Sequence, residues 1–262
     1  MLAAFILREM GNFHAAIVKC KEALQVLSSH PSILSFYGDL LHRIGKSQEA
    51  FLVYQEILQK KEISPYVYAA LGKHYFQKHQ WKEAEEFLLK AIEGFPELEE
   101  SLLFLGMIYA SKKDIPKAIS YHEKVKNIAL KYKRRNNLGQ IYNNLAYLYM
   151  ESPTPNREKA LEYAEKAFHL LPYDGSVADT LGWAYYQNQK YSQSEKHLLY
   201  ASHLYPKEAT ILYHLAHVYL KLNNKKSAIH NLEKAVSMGQ IFPEFSQAQK
   251  LLKEWQSLEK KQ

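Results

Sequence analysis

Apolar residues return every three or four positions through most of the chain. Leu212, Leu215, Ala216, Tyr219 and Leu220 are one such run, and this spacing gathers them on one face of a helix. No stretch alternates apolar and polar residues as a half-buried strand would. The breaks come at regular intervals. Pro96, Pro172 and Pro206 stand where they would close helices, and Gly11, Gly45 and Asn223 stand where tight turns between helices are needed. The pattern predicts an all-α chain of short helices joined by short turns.

Three registers of residue size run in phase with these breaks. Gly or Ala recurs at Ala4, Gly38, Gly72, Gly106, Ala146, Gly182 and Ala216, at spacings of 34, 34, 34, 40, 36 and 34 residues. A second small residue follows each, at Ala16, Ala50, Ala84, Ala118, Ala160, Ser194 and Ala228. A large residue lies three positions after the first, at Leu7, Leu41, Tyr75, Tyr109, Tyr149, Tyr185 and Tyr219. A small residue on one helix lets a second approach closely, and a large one a turn later fills the adjacent gap. Each period therefore reads as a helical hairpin, too small to bury its own apolar face and completed by its neighbours.

A 34-residue period with Leu-Gly, Tyr, Ala and Pro at these offsets resembles the tetratricopeptide repeat. Leu181, Gly182, Tyr185, Tyr191, Ala201 and Pro206 carry the resemblance in the sixth unit, with Ser194 in place of the usual Ala. Leu71, Gly72, Tyr75, Trp81, Ala84, Ala91 and Pro96 carry it in the third. The resemblance implies a right-handed α-solenoid superhelix of about seven helical hairpins plus a C-terminal capping helix. The units run roughly over 1–30, 31–64, 65–98, 99–138, 139–174, 175–208 and 209–242, and the cap over 243–262.

Some segments depart from the period. Six extra residues lengthen the region from Lys124 to Asn137, which predicts a projecting helix end. Ser152-Pro153-Thr154-Pro155 predicts a stiffened, exposed loop. In the last segment Phe245, Ala248, Leu251, Leu252, Trp255 and Leu258 form one apolar stripe, as a helix covering the final hairpin should. At the other end Leu2, Phe5 and Ile6 have no covering helix in the sequence. Residues upstream, a partner or a second copy docked on the first hairpin would each cover them.

Composition narrows the function classes. Hydrophobic residues make up 47% and charged residues 23%, with 10 Gly and 9 Pro, which is a folded rather than a disordered balance. The longest apolar runs, Leu102 to Ala110 and Met1 to Leu7, are shorter than the roughly 20 residues a bilayer requires. Met1 to Leu7 also lacks the basic start and cleavage site of a secretory signal. A complete chain would point to the cytoplasm, and one with an upstream signal removed to the periplasm or envelope. Cys20 is the single cysteine and is read as a small core residue. The net charge of +7 is densest at Lys131, Lys133, Arg134 and Arg135, which reads as a solvated helix end suited to the C-terminal dipole.

Motifs for chemistry are missing. No two glycines flank a single residue as a dinucleotide loop requires, and no phosphate-cradling Gly-Lys-Ser/Thr, serine elbow, HExxH or paired-cysteine set occurs. No catalytic residue, cofactor or metal is therefore assigned. His214 and His217 are three apart on one helix but have no identifiable third ligand, so they read as groove or packing residues.

By resemblance, the second, fifth, ninth and twelfth positions of each first helix face the concave side and contact a partner. This assigns Asp39, His42, Lys73, Phe76 and Met107 in the first four units. In the last three it assigns Asn143, Tyr147, Asp179, Trp183, Tyr186, Tyr213 and His217. Aromatics concentrate in the C-terminal units, where they supply contact area at low entropy cost. Trp183 could equally pack on Tyr213 or Tyr147 to stiffen the array. The Lys and Asn pairs with which chaperone-binding relatives clamp a carboxylate are absent. The sequence thus reads as a non-enzymatic scaffold for a protein or extended peptide, with a loose resemblance of Asp179 to Trp183 to bacterial envelope or export-associated arrays. A receptor for a short peptide or small ligand is the alternative, and RNA binding through the basic run is a weaker one.

Overall fold

The computed structural model describes residues 1–27, 30–59, 63–134, 137–239 and 242–259, with side chains to residue 256 in the last segment. Arg135 and the side chain of Leu258 lie outside the described residues. Among those described, the chain forms fifteen helices and no strand. Seven hairpins pair α1 (Leu2–Glu9) with α2 (Phe13–Val26), α3 (Pro31–Arg43) with α4 (Ser47–Ile57) and α5 (Pro65–Gln77) with α6 (Trp81–Gly94). They continue with α7 (Glu99–Ser111) and α8 (Ile115–Lys131), α9 (Leu138–Glu151) and α10 (Arg157–Leu170), α11 (Gly175–Gln187) and α12 (Tyr191–Leu204), and α13 (Ala209–Lys221) and α14 (Lys225–Ser237). The last helix, α15 (Phe245–Glu259), packs against α14.

The helix ends follow from local chemistry. Pro31 and Pro65 open α3 and α5, where a missing N–H costs nothing. Asn12, Asn156 and Asn224 cap α2, α10 and α14 by accepting from the backbone N–H three residues on. Six of the seven hairpin turns hold one left-handed residue, and the longer α9–α10 turn does without. Gly11 and Gly45 take that conformation at φ 75° and 80°, and His79, Lys113, Gln189 and Asn223 hold the same turn at 58° to 61° without glycine's freedom.

The small-residue registers are the points of closest helix approach. A Cβ on Gly72 would lie 2.6 Å from Leu88 Cγ, and one on Gly182 2.6 Å from Leu198 Cγ. Ala16, Ala50, Ala84, Ala118, Ala160 and Ala228 are all buried. Ser194 replaces Ala without cost because its hydroxyl donates to the Gly182 carbonyl at 2.7 Å. The large register adds an aromatic pair across several hairpins. Tyr75 stacks on Phe87, Tyr109 on Tyr121 and Tyr185 on His197, each twelve residues later, with centroids 5.4 to 5.5 Å apart.

The chain divides into two compact units, Met1–Val125 and Lys126–Gln262, with the boundary inside α8. At 17 residues α8 is the longest helix, in keeping with the lengthened fourth period. In the first unit Ile33, Leu40, Leu41, Ile57 and Leu71 centre one core, and Cys20 is buried within it. Leu2, Phe5 and Ile6 on α1 are exposed. In the second unit Leu198, Leu212, Leu215 and Leu232 form a core that Phe242, Ala248 and Trp255 close from the segment of α15.

Candidate functional site

The first helices of the second unit bring most of the assigned groove residues together. Tyr147 on α9 keeps 46% of its surface exposed, the most of any assigned aromatic, and Asn143 lies one turn before it. On α11, Trp183 is half-buried between two near-parallel rings. Tyr186 lies at 4.5 Å and 6°, and His214 of α13 at 4.2 Å and 16°. His214 Nδ1 is held 2.8 Å from Asp179 Oδ1, so the carboxylate fixes the imidazole that covers the indole. The indole therefore stacks within its own repeats, on His214 and Tyr186 rather than on Tyr213 or Tyr147.

Tyr213 departs from expectation. It is only 4% exposed and belongs to the core, because Phe242 approaches its ring to 6.0 Å and His217 meets it edge-on at 4.6 Å. It can support a groove but offers no open ring to a partner. His217 is half-buried among Trp183, Tyr186, Tyr213 and Trp255. Burial, with the nearby His214 and Lys221, lowers its pKa to about 4, so the ring is neutral at ordinary pH.

Among the described residues of this unit, three buried side-chain polar atoms lack a hydrogen-bond partner: Asn143 Oδ1, His217 Nε2 and Glu244 Oε2. Glu244 precedes α15 and was not singled out from the sequence. Burial raises the Tyr147 phenol, and the charges of Glu151 and Glu244 raise it further. The Tyr213 phenol is pushed up to about 12 by burial first and then by Glu244.

In the first unit, the polar groove residues already hold partners. Asp39 accepts from Tyr54 Oη at 2.7 Å, and Lys73 pairs with Glu100 at 2.6 Å. Together with His42, Arg8, Arg43 and Tyr66 they line a cavity of about 410 Å³. Phe76 packs on Phe104 and Trp81 instead. Met107 is exposed on α7. Among the described residues no group of three His, Cys, Asp or Glu is arranged to hold a metal, and no helix is long and apolar enough to cross a membrane.

Comparison with known proteins places this geometry. A tetratricopeptide-repeat family model matches residues 209–238, which span α13 and α14. No curated protein matches the chain in sequence. Several solved structures share the fold. PilF of Pseudomonas aeruginosa is 16% identical with a TM-score of 0.64, over 84% of this chain and 96% of that one. A tetratricopeptide repeat protein from Parabacteroides merdae is 17% identical with a TM-score of 0.55, over 97% and 96%. The APC/C hetero-tetramer Cut9-Hcn1 gives 17% identity and a TM-score of 0.63 over 95% of this chain, which spans 47% of the matched one. The family's repeat is thus matched in the last hairpin, and the fold of the chain is shared with these neighbours.

Proposed function

We propose that this protein is an interaction scaffold whose second unit binds an extended segment of a partner protein across α9, α11 and α13. The observation that carries the reading is the contrast between the two units. The polar groove residues Asp39 and Lys73 are satisfied within the first unit. The second combines an exposed Tyr147 with the unpartnered atoms of Asn143, His217 and Glu244. Unpartnered polar atoms cost free energy in the free protein and return it when a ligand supplies the complementary group.

One of the similar structures, Cut9 with Hcn1, is itself a hetero-tetramer, which suits an assembly role for this chain; an envelope or export-associated assembly is the finer form of the same reading. Capture of partner proteins by the full chain and by Tyr147→Ala tests the site. Partners should be lost with the variant while its thermal unfolding is unchanged. Equal capture by both would remove binding from this face.

The cavity lined by Arg8, Asp39, Arg43, Lys73 and Tyr66 supports a second reading, a receptor for a small charged ligand. Anything that binds only the folded state raises the melting temperature, so a screen of charged metabolites and short peptides with no thermal shift would exclude it.

A further inference from the structure

The second unit holds a cavity of about 430 Å³ that none of the assigned groove residues lines. The second helices α10 and α12 give it Glu165, Phe168 and His197, α11 gives Leu181 and Tyr185, and Pro172 stands in the turn between α10 and α11. His169 completes the lining. The volume falls in the range of small-ligand pockets. Three rings form its wall. Tyr185 and His197 stack at 5.4 Å, and Phe168 meets His197 edge-on at 5.1 Å. Burial, with Lys196 adding to it, lowers the His197 pKa against a weaker pull from Glu165, so the ring is uncharged at neutral pH.

Glu165 is the one acid of this lining, and it is exposed. Tyr185 Oη donates to its Oε1 at 2.9 Å; burial and that bond push the phenol up to about 12, so it remains a donor. Among the described residues Glu165 has no ion pair. The fourth hairpin shows what completes such a carboxylate. There Tyr109, in the register of Tyr185, bonds Glu85 of the preceding second helix, and Lys112, three residues after the tyrosine, pairs with the same glutamate. Asn188 stands three residues after Tyr185, and its amide is turned to the carbonyls of Ala184 and Arg157. Of the nearby lysines, Lys166 is paired with Glu162, and Lys190 lies 5.9 Å over Tyr185 without lining the cavity. The cation that the fourth hairpin supplies for itself is therefore missing beside these rings.

We propose that this cavity takes an arginine side chain of a partner protein, its guanidinium among the rings of Phe168, Tyr185 and His197 and its edge on the Glu165 carboxylate. Arginine suits both halves of the site, because its planar head stacks on aromatic rings while its fork of N–H donors pairs with a carboxylate. A lysine ammonium does only the second, and an anion would face the Glu165 charge. The chain carries +7, which opposes a polybasic run, so the residue is a single arginine. The inference extends the scaffold reading to a second site and does not depend on the groove.

The test follows the His197 Cε1–H resonance of the full chain at neutral pH, identified from His197→Asn. Capped arginine amide is titrated beside capped citrulline amide, which keeps the plane but loses the charge, and capped lysine amide, which keeps the charge but loses the plane. Arginine should shift the resonance and bind about fivefold more tightly than either, the size expected of a carboxylate contact at an exposed site. Glu165→Gln, a change at an exposed position, should erase the advantage over citrulline and leave citrulline binding as it was. Arginine no tighter than citrulline, lysine as tight as arginine, an undiminished preference in Glu165→Gln, or no shift of His197 up to the solubility limit overturns the proposal. The groove is judged separately: Tyr147→Ala should leave arginine binding unchanged whatever it does to partner capture, and arginine binding lost in that variant would place the ligand in the groove and sink this site.

Discussion

His122 offers a sharp test of how the hairpins hold together. It lies sixteen residues after Gly106, where Leu88 follows Gly72 and Leu198 follows Gly182, and it packs against that glycine as those leucines do. The imidazole is 2% exposed, and its Nδ1 has no partner. Burial lowers its pKa from 6.5 to about 4. Between those values the unfolded chain binds a proton that the folded protein refuses. Stability is therefore complete above pH 6.5 and falls as pH drops toward 4. From pH 7 to pH 5 the two values give a loss of about 2 kcal/mol from this residue alone. His122→Leu removes both the orphaned nitrogen and the titration while filling a site that accepts leucine in two other repeats. It should raise stability at pH 7 by about 1–2 kcal/mol and flatten the acid limb by the further 2. Urea unfolding followed by circular dichroism from pH 7.5 to 5 reads both numbers. A less stable variant at pH 7, or an acid limb as steep as in the wild type, would refute the reasoning.

The remaining expectations address turns and packing. Lys113→Gly and Gln189→Gly should each stabilise by about 1 kcal/mol in urea unfolding, because glycine relieves the left-handed strain that Gly11 and Gly45 avoid. Gly182→Ala should cost about 1–3 kcal/mol, since the new methyl would meet Leu198 Cγ at 2.6 Å; a neutral result would mean that the helices can separate freely there. Trp183→Ala should lower stability by about 2 kcal/mol through loss of the stack on His214 and Tyr186. Denaturation of that variant should therefore shift even without a partner, which is why the exposed Tyr147 is the cleaner probe of binding.

How much could be read in the sequence depended on whether a property belongs to a repeat or to a pair of repeats. The close approaches at Gly72 and Gly182 and the turns at Gly11 and Gly45 are set within one hairpin, so the spacing alone exposes them. His122 was not singled out from the sequence, although its register with Leu88 and Leu198 sets a polar residue in an apolar slot and is the signal that could have found it. The groove is different. Asn143, Asp179 and Tyr213 share the fifth position of successive first helices, and register gives them one common direction. Their fates are set by what the following segment supplies. His214 comes from the next repeat to take Asp179, Phe242 from the approach to α15 closes over Tyr213, and nothing among the described residues reaches Asn143 Oδ1. Phe242 itself lies outside every register and meets Tyr213 only because the segment before α15 passes that ring. A periodic sequence thus tells where side chains point, while the availability of each one is decided by residues that the period does not contain.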